Sequence, residues 1–217
     1  MPESPSWSSP VLASVLPVIA VSRHVTTDTD AIERAAEWLA AEELGWPTAS
    51  MPLDTPGDPD LLTDFLMFTN AINFAFTDFA TRDRFEADRG GRRWSDSEGM
   101  TACVLNALDA GVPVLDGAWM AEATIDDIDR LFTGSIQMPM LPERTAIIND
   151  VGRVLADRYR GRWRHWAADC APAMYAGGDG LLERLVTEFP RYRDVSDYDG
   201  FEVRLYKLAQ LGLWTLH

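Results

Sequence analysis

The chain has 217 residues, of which 47% are hydrophobic and 24% are charged, and this composition excludes a disordered chain. Its formal net charge of −15 argues against tight non-specific binding to duplex nucleic acid, because such binding relies on Lys and Arg to neutralise phosphates. With two cysteines and three histidines, we predict no disulfide framework, no metal site and no cofactor, and we expect a reducing, cytoplasmic compartment.

The N-terminal part of the chain predicts a frayed end, a core-facing segment and a helix. Residues 1–10 are rich in Ser and Pro and are expected to be disordered. Residues 11–21 form the longest apolar run, but the run is too short to span a bilayer and contains Pro17, so we interpret it as core-facing and expect no membrane contact. The sequence "TDTDAIERAAEWLAAEEL" predicts a helix capped by Asp28 or Thr29. Its apolar stripe consists of Ile32, Ala36, Leu39 and Ala40.

The next segment predicts the centre of the fold. The sequence "LLTDFLMFTNAINFAFTDF" is apolar on nearly every face, which indicates a buried central helix over residues 65–78. The side chains expected to be buried are Leu66, Phe68, Ile72, Phe74 and Phe76. After it, "RFEADRGGRRW" predicts a short β-hairpin that turns at Gly90 and Gly91.

The second half predicts further helices and one strand. Helices are expected from Ser95 or Ser97 to Gly111, from Thr124 over "TIDDIDRLF", over the long stretch 141–170, and over "GGDGLLERLVTEFP". "FEVRLY" alternates like a strand, and "YKLAQLGLWTL" resembles the start of a helix. The fold class is therefore mostly α, with a single helical domain over residues 11–217 and a small β-hairpin element.

Two segments carry residues that suit a binding site. "NAINFAFTD" places Asn73 among apolar residues, where it either hydrogen-bonds to neighbouring loops or belongs to a polar patch with Phe74 and Phe76 as pocket walls. Lys207 lies among leucines at the start of an apolar helix, so it either reaches water or meets an anion, with Tyr206 and Arg193 close in sequence. Pairing of Lys207 with nearby acids is the alternative.

A third segment, "RYRGRWRHW", interleaves four arginines with aromatic residues between Arg158 and Trp166. Such interleaving occurs in proteins that bind single-stranded nucleic acid. Because the remaining basic residues are scattered and the chain is acidic, we favour a solvated helix end in which the arginines complement the helix dipole.

Several collinear segments resemble the queuosine salvage proteins, which are queuosine 5′-phosphate N-glycosidases/hydrolases. They are "SRHV", "INFAF", "ALDAGVPVLDG", "MPMLPERTAIINDVGRVL", "FPRYRDV" and "YKLAQL". The resemblance runs from about residue 11 to the last residue. It implies hydrolysis of the bond between ribose and queuine, which frees queuine for tRNA modification. The implied ligand is queuosine 5′-phosphate, with Lys207 and Arg193 on the phosphate, and Tyr206, Asn73, Phe74 and Phe76 in the pocket.

The chain also departs from the family pattern. The resemblance implies that the chain corresponds to the N-terminal two-thirds of the family fold and that the catalytic aspartate lies beyond His217, so we assign no catalytic residue. Thr77 stands where the family usually has Trp, and the family's His near the position of Met51 is missing. The alternative function is therefore a non-catalytic relative that binds nucleotides. We expect no direct tRNA binding, and self-association through the apolar run "LGLWTLH".

Overall fold

The computed structural model describes residues 10–24, 26–42, 53 and 56–206 of the chain. The described part is mostly helical and contains two two-stranded antiparallel sheets. Its elements in chain order are α1 (Pro10–Val21), α2 (Thr29–Ala41), α3 (Pro59–Ala71), β1 (Glu86–Arg89), β2 (Arg92–Ser95), α4 (Asp96–Asp109), α5 (Gly117–Glu122), α6 (Ile125–Leu131), α7 (Leu141–Arg158), α8 (Trp163–Asp169), α9 (Leu181–Glu188), a 3₁₀ helix (Pro190–Tyr192), β3 (Val195–Tyr198) and β4 (Phe201–Arg204).

Local sequence signals explain where several of these elements begin and turn. Strands β1 and β2 are joined at Gly90 and Gly91, which both have positive φ, as a tight two-residue hairpin turn requires. Thr124 and Asp127 form a reciprocal capping box at the start of α6. The side chain of Asp28 accepts a hydrogen bond from the N–H of Ala31 and caps α2. The predicted hairpin and the predicted starts of these helices are confirmed.

The central helix is shorter than predicted. Helix α3 ends at Ala71, and the chain from Ile72 to Phe76 is irregular, because carbonyl groups of this segment accept hydrogen bonds from a side chain of α7 and not from helical N–H groups. Phe68 and Ile72 are buried as expected, whereas the side chains of Leu66, Phe74 and Phe76 are only half-buried.

Two other predictions need correction. The stretch 141–170 is two helices, because Arg160 and Gly161 both adopt positive φ and Gly161 N–H returns to the carbonyl of Leu155. The apolar run at the N-terminus is helical, but Leu16 and Ile19 are more than half exposed, so these side chains do not face a core. The short helix α5 has no counterpart among the predicted elements.

The chain divides into two compact units. The described elements of the first unit are α1, α2, β3 and β4, and in it the N–H of Arg204 donates to the hydroxyl of Ser14. The second unit contains α3 to α9, the 3₁₀ helix and the β1–β2 hairpin. Of residues 1–10, which were predicted to be disordered, Pro10 begins α1, and residues 1–9 lie outside the described residues, as does the predicted helix from Lys207 onward.

The core of the second unit is organised around α7. Its buried face consists of Leu141, Arg144, Ile148, Val151, Gly152 and Leu155. At Gly152 the backbone of α5 comes so close that an added Cβ would lie 2.4 Å from the backbone nitrogen of Ala121. Near the end of the unit, Trp163 stacks on Phe189 with ring centroids 4.6 Å apart, and Trp166 and Tyr192 complete an aromatic cluster.

No helix within the described ranges is both long enough and apolar enough to span a bilayer.

We expect Gly152→Ala to lower the free energy of unfolding by about 1–3 kcal/mol, because the added methyl group must push α5 away from α7. Urea unfolding followed by circular dichroism measures this change. The control is Gly57→Ala, at a position where nothing lies within 4 Å of the added Cβ, and its effect should be within about 0.5 kcal/mol. Equal stability of the two variants would contradict the close contact of α5 and α7.

A second prediction concerns Asp64, a fully buried side chain of α3. Its Oδ1 accepts the N–H of Arg164 at 2.9 Å, but its Oδ2 has no hydrogen-bond partner among the described residues and is 3.8 Å from Nε of Arg164. Burial raises the pKa of Asp64, and the N–H and the charge of Arg164 offset this only partly. The carboxyl of Asp64 is therefore protonated more readily in the folded state than in the unfolded chain.

The contribution of Asp64 to stability is accordingly present below the pKa of the unfolded chain and is lost as the pH rises through the raised pKa. We expect the stability of wild type relative to Asp64→Asn to fall as the pH rises above about 4, the ordinary pKa of an aspartate. Urea unfolding at a series of pH values tests this, with the exposed Asp157→Asn as control. A difference between wild type and Asp64→Asn that does not change with pH would show that burial does not perturb Asp64.

Candidate functional site

The irregular segment after α3 is held by one buried arginine. Arg144, in the first turns of α7, has no exposed surface. Its Nε donates to the carbonyl of Pro139 at 2.9 Å, and its Nη2 donates to the carbonyl of Ala75 at 2.7 Å. Further short hydrogen bonds run from Nη1 to the carbonyl of Ile72 and from Nη2 to that of Phe74. The guanidinium thus bonds to four carbonyl groups.

Two aromatic rings of the same segment lie against this guanidinium. The Cζ atom of Arg144 is 4.5 Å from the ring centroid of Phe74 and 5.1 Å from that of Phe76, which are cation–π distances. Within the described residues, no carboxylate forms an ion pair with Arg144. Burial lowers the pKa of Arg144 to about 10, so the group is still charged at neutral pH.

Asn73 lies between the residues whose carbonyls Arg144 binds. Its side chain is half-buried, and none of the described residues forms a hydrogen bond with its amide. Ala75 has a φ of +49°, in the left-handed region that non-glycine residues seldom adopt. The next acid in the chain, Asp78, is used locally, because its carboxylate accepts the N–H groups of Ala80 and Thr81. The segment therefore offers an amide and two rings, and no free carboxylate.

The other predicted site residues lie after α9. Arg193 donates from Nε to the carbonyl of Val186 and from Nη2 to that of Thr187, so its guanidinium caps the last turn of α9. Tyr206 is buried, has a φ of +48°, and its N–H donates to the carbonyl of Asp194 at 3.3 Å. Lys207 lies outside the described residues.

The predicted residues thus form two groups. Asn73, Phe74 and Phe76 share one segment, and Arg193 and Tyr206 both lie next to Asp194. No hydrogen bond, ion pair or ring contact joins the two groups in the part of the chain that the structure describes.

Arg144 is not among the site residues predicted from the sequence. A signal was nevertheless present, because Arg144 shares a helix face with Ile148, Val151 and Leu155, at spacings of four, seven and eleven residues. A charged residue on the predicted buried stripe of a helix needs several polar partners in the core.

The arginines of "RYRGRWRHW" are largely occupied by acids. Arg158 is 3.2 Å from Glu188, and Arg162 is 3.2 Å from Asp116. Arg164 lies 4.0 Å from Asp60 and 3.8 Å from Asp64. Three of the four arginines are therefore in ion pairs, which favours the interpretation of a structural helix end over that of a nucleic-acid surface.

The described residues contain no group of three or more His, Cys, Asp or Glu side chains that could hold a metal ion. Cys103 is buried, and burial raises the pKa of its thiol to about 12, so it is not a reactive thiolate at neutral pH.

The described part of the chain is thus mostly α-helical, with a buried arginine that binds backbone carbonyls of an Asn-Phe-Ala-Phe segment. The family model for the queuosine salvage protein matches residues 54–216. A relative from Sphaerobacter thermophilus, named queuosine 5′-phosphate N-glycosylase/hydrolase, is 31% identical over 95% of this chain and 62% of its own length. Relatives of the same name from Bos taurus and Mus musculus are 28% and 24% identical, each over 88% of this chain.

The chain therefore belongs to the queuosine salvage protein family, as its motifs indicated. The fold class predicted from the sequence is confirmed as well. The chain spans 62% of the length of the Sphaerobacter relative and 57% of the length of each of the two mammalian relatives.

The contacts of Arg193 lead to a prediction. We expect Arg193→Ala to lower the free energy of unfolding by about 1–2 kcal/mol, because the carbonyls of Val186 and Thr187 lose their donors. Urea unfolding measures the loss, and Arg34→Ala, an exposed change in α2, is the control. An Arg193 variant as stable as the control would show that the side chain does not cap α9.

Proposed function

We propose that this chain takes part in hydrolysis of the N-glycosidic bond of queuosine 5′-phosphate, which releases queuine for tRNA modification. The observation that carries the proposal is the family match over residues 54–216, together with the common name of the relatives. Because the chain covers less than two thirds of those relatives, the activity of a whole family member is part of the proposal and does not follow from the match alone.

The Asn73–Phe76 segment is proposed to bind the base. A heterocyclic base needs hydrogen bonds at its edge and an apolar or aromatic surface at its face. Asn73 offers a side-chain amide without a partner among the described residues, and Phe74 and Phe76 offer half-buried rings beside it. Since no carboxylate of this segment is free, we assign the segment to binding and not to the bond-breaking step.

The residues around position 206 are proposed to bind the 5′-phosphate. Lys207 would supply the charge, and Tyr206 lies directly before it in the chain. Arg193 is the proposed second cation; its Nη1 forms no hydrogen bond within the described residues, whereas Nε and Nη2 cap α9. A charged hydrogen bond of this kind contributes about 1.5–3 kcal/mol.

The finer aspects of the partners and the compartment are also part of the proposal. We propose a cytoplasmic protein that binds the free nucleotide and not tRNA, which agrees with the net charge of −15 and the ion-paired arginines. Self-association through the apolar residues 211–216 remains a prediction, since these residues lie outside the described part.

Calorimetric titration with queuosine 5′-phosphate tests the function. We expect the wild-type chain to bind this nucleotide and Lys207→Ala to bind it about 10- to 150-fold more weakly, which corresponds to the loss of one charged hydrogen bond. The matched control is Arg153→Ala, which removes an exposed cation from α7 that is paired with Asp150. Arg153→Ala should leave the affinity unchanged within about twofold.

Chromatography of the same mixtures for released queuine separates the two functions. Release by the wild-type chain supports the hydrolase. Tight binding without release supports the alternative, a nucleotide-binding relative without catalysis. This alternative is considered because Thr77 and Met51 stand where the family usually has Trp and His. If the wild-type chain neither binds the nucleotide nor releases queuine, both assignments are overturned.

A further inference from the structure

We propose that Arg144 is a positioning residue for the binding segment: it fixes the orientation of Asn73 and of the Phe74 and Phe76 rings without contacting the ligand itself. The inference rests on the proposed function, since it assigns a purpose to the conformation of that segment. Neither the family match nor the names of the relatives assign a role to this arginine.

The hydrogen bonds of Arg144 support this positioning role. Arg144 joins two stretches that are far apart in sequence, because Pro139 precedes α7 whereas Ile72, Phe74 and Ala75 follow α3. The carbonyls of Phe74 and Ala75 accept no other hydrogen bond from the described residues. Among the described residues, Arg144 is therefore the hydrogen-bond donor to the carbonyls of both Phe74 and Ala75.

The backbone conformation of Ala75 also supports the positioning role of Arg144. Its φ of +49° turns the carbonyls of Phe74 and Ala75 toward the same guanidinium group. A non-glycine residue pays a steric cost in this region and keeps the conformation only where the surroundings impose it. Without the guanidinium, the part-buried carbonyls of Phe74 and Ala75 would lose their donors, and the turn would relax toward another conformation.

The ends of the segment are anchored independently, which localises the expected effect. On one side α3 continues up to Ala71, and on the other Phe85 N–H donates to the carbonyl of Phe76 at 2.8 Å. Thr77 and Arg84 form an antiparallel bridge just beyond. Loss of Arg144 should therefore disturb residues 73–75 most, and Asn73 is the polar side chain among them.

The chemistry requires arginine and not merely a positive charge. A planar guanidinium donates to several carbonyls in fixed directions and lies flat against aromatic rings, whereas an ammonium group does neither. Arg144→Lys keeps the charge but cannot supply the same four hydrogen bonds and ring contacts. Lysine is therefore the substitution that separates positioning from charge.

A purely structural role would make Arg144→Lys act through stability alone, so the experiment needs a control of matched stability. Leu155→Val is a core substitution on the same face of α7, about three turns away, and it leaves the segment untouched. Leu155→Ala replaces it if Arg144→Lys melts at a lower temperature than the Val variant. Ala75→Val is the second test variant, because a β-branched residue resists positive φ and leaves the core of α7 unchanged.

Two readouts are taken well below the melting temperature of every variant. Calorimetry gives the affinity for queuosine 5′-phosphate, and heteronuclear NMR follows the side-chain amide of Asn73. We expect Arg144→Lys and Ala75→Val to bind about tenfold more weakly or worse, with shifted Asn73 signals, because misplaced binding groups lose affinity steeply. The Leu155 variant should bind within about twofold of wild type, with unchanged Asn73 signals.

The outcomes separate the two proposals. If Arg144→Lys binds as tightly as the Leu155 variant and the Asn73 signals do not move, the positioning role is overturned. If Arg144→Lys does not fold, Ala75→Val decides the question by the same two readouts. A wild-type chain that does not bind the nucleotide overturns the proposed function, whereas the Asn73 signals of the variants still decide whether Arg144 fixes the segment.

Discussion

The buried charge of Arg144 constrains the second unit more than any other group that the structure describes. Transfer of a charged side chain from water into a protein core costs several kcal/mol unless the surroundings offset it. In the part of the chain that the structure describes, no carboxylate does so; four backbone carbonyls and two ring faces take its place. Because those carbonyls must point at one group, the end of α3, the turn before α7 and the first turns of α7 have fixed relative positions.

That constraint depends on how closely α7 is held by its other neighbours. Gly152 lets the backbone of α5 approach α7 to a distance at which no side chain fits. The amide of Asn149 donates to the carbonyls of Met120 and Ala123, and so satisfies the end of α5. Helix α7 thus contacts the segment after α3 through Arg144, and it contacts α5 through Asn149 and Gly152 in the following turns. A helix that is fixed along its length can hold Arg144 in a precise place.

The sequence predicted those features that depend on a few neighbouring residues. The turn at Gly90 and Gly91 and the capping box of Thr124 are local, because their hydrogen bonds close within three or four residues. The end of α3 could not be predicted in this way. No Gly or Pro stands between Phe65 and Asp78, and the helix ends just before residues whose carbonyls bind an arginine about 70 residues away. The break at Gly161 carried a visible signal, because glycine disfavours the interior of a helix.

The candidate site shows the same division between local and distant causes. The aromatic and amide residues of "INFAF" are visible in the sequence, but their backbone and rings contact Arg144, which a search for exposed chemical groups does not find. Arg193 is the opposite case, because it looks like a free cation in the sequence and caps α9 in the structure. An arginine whose donors face backbone carbonyls shapes a site through geometry, whereas one whose donors face solvent can shape it through charge. Which of the two applies is decided by packing, and hence by contacts that no short motif contains.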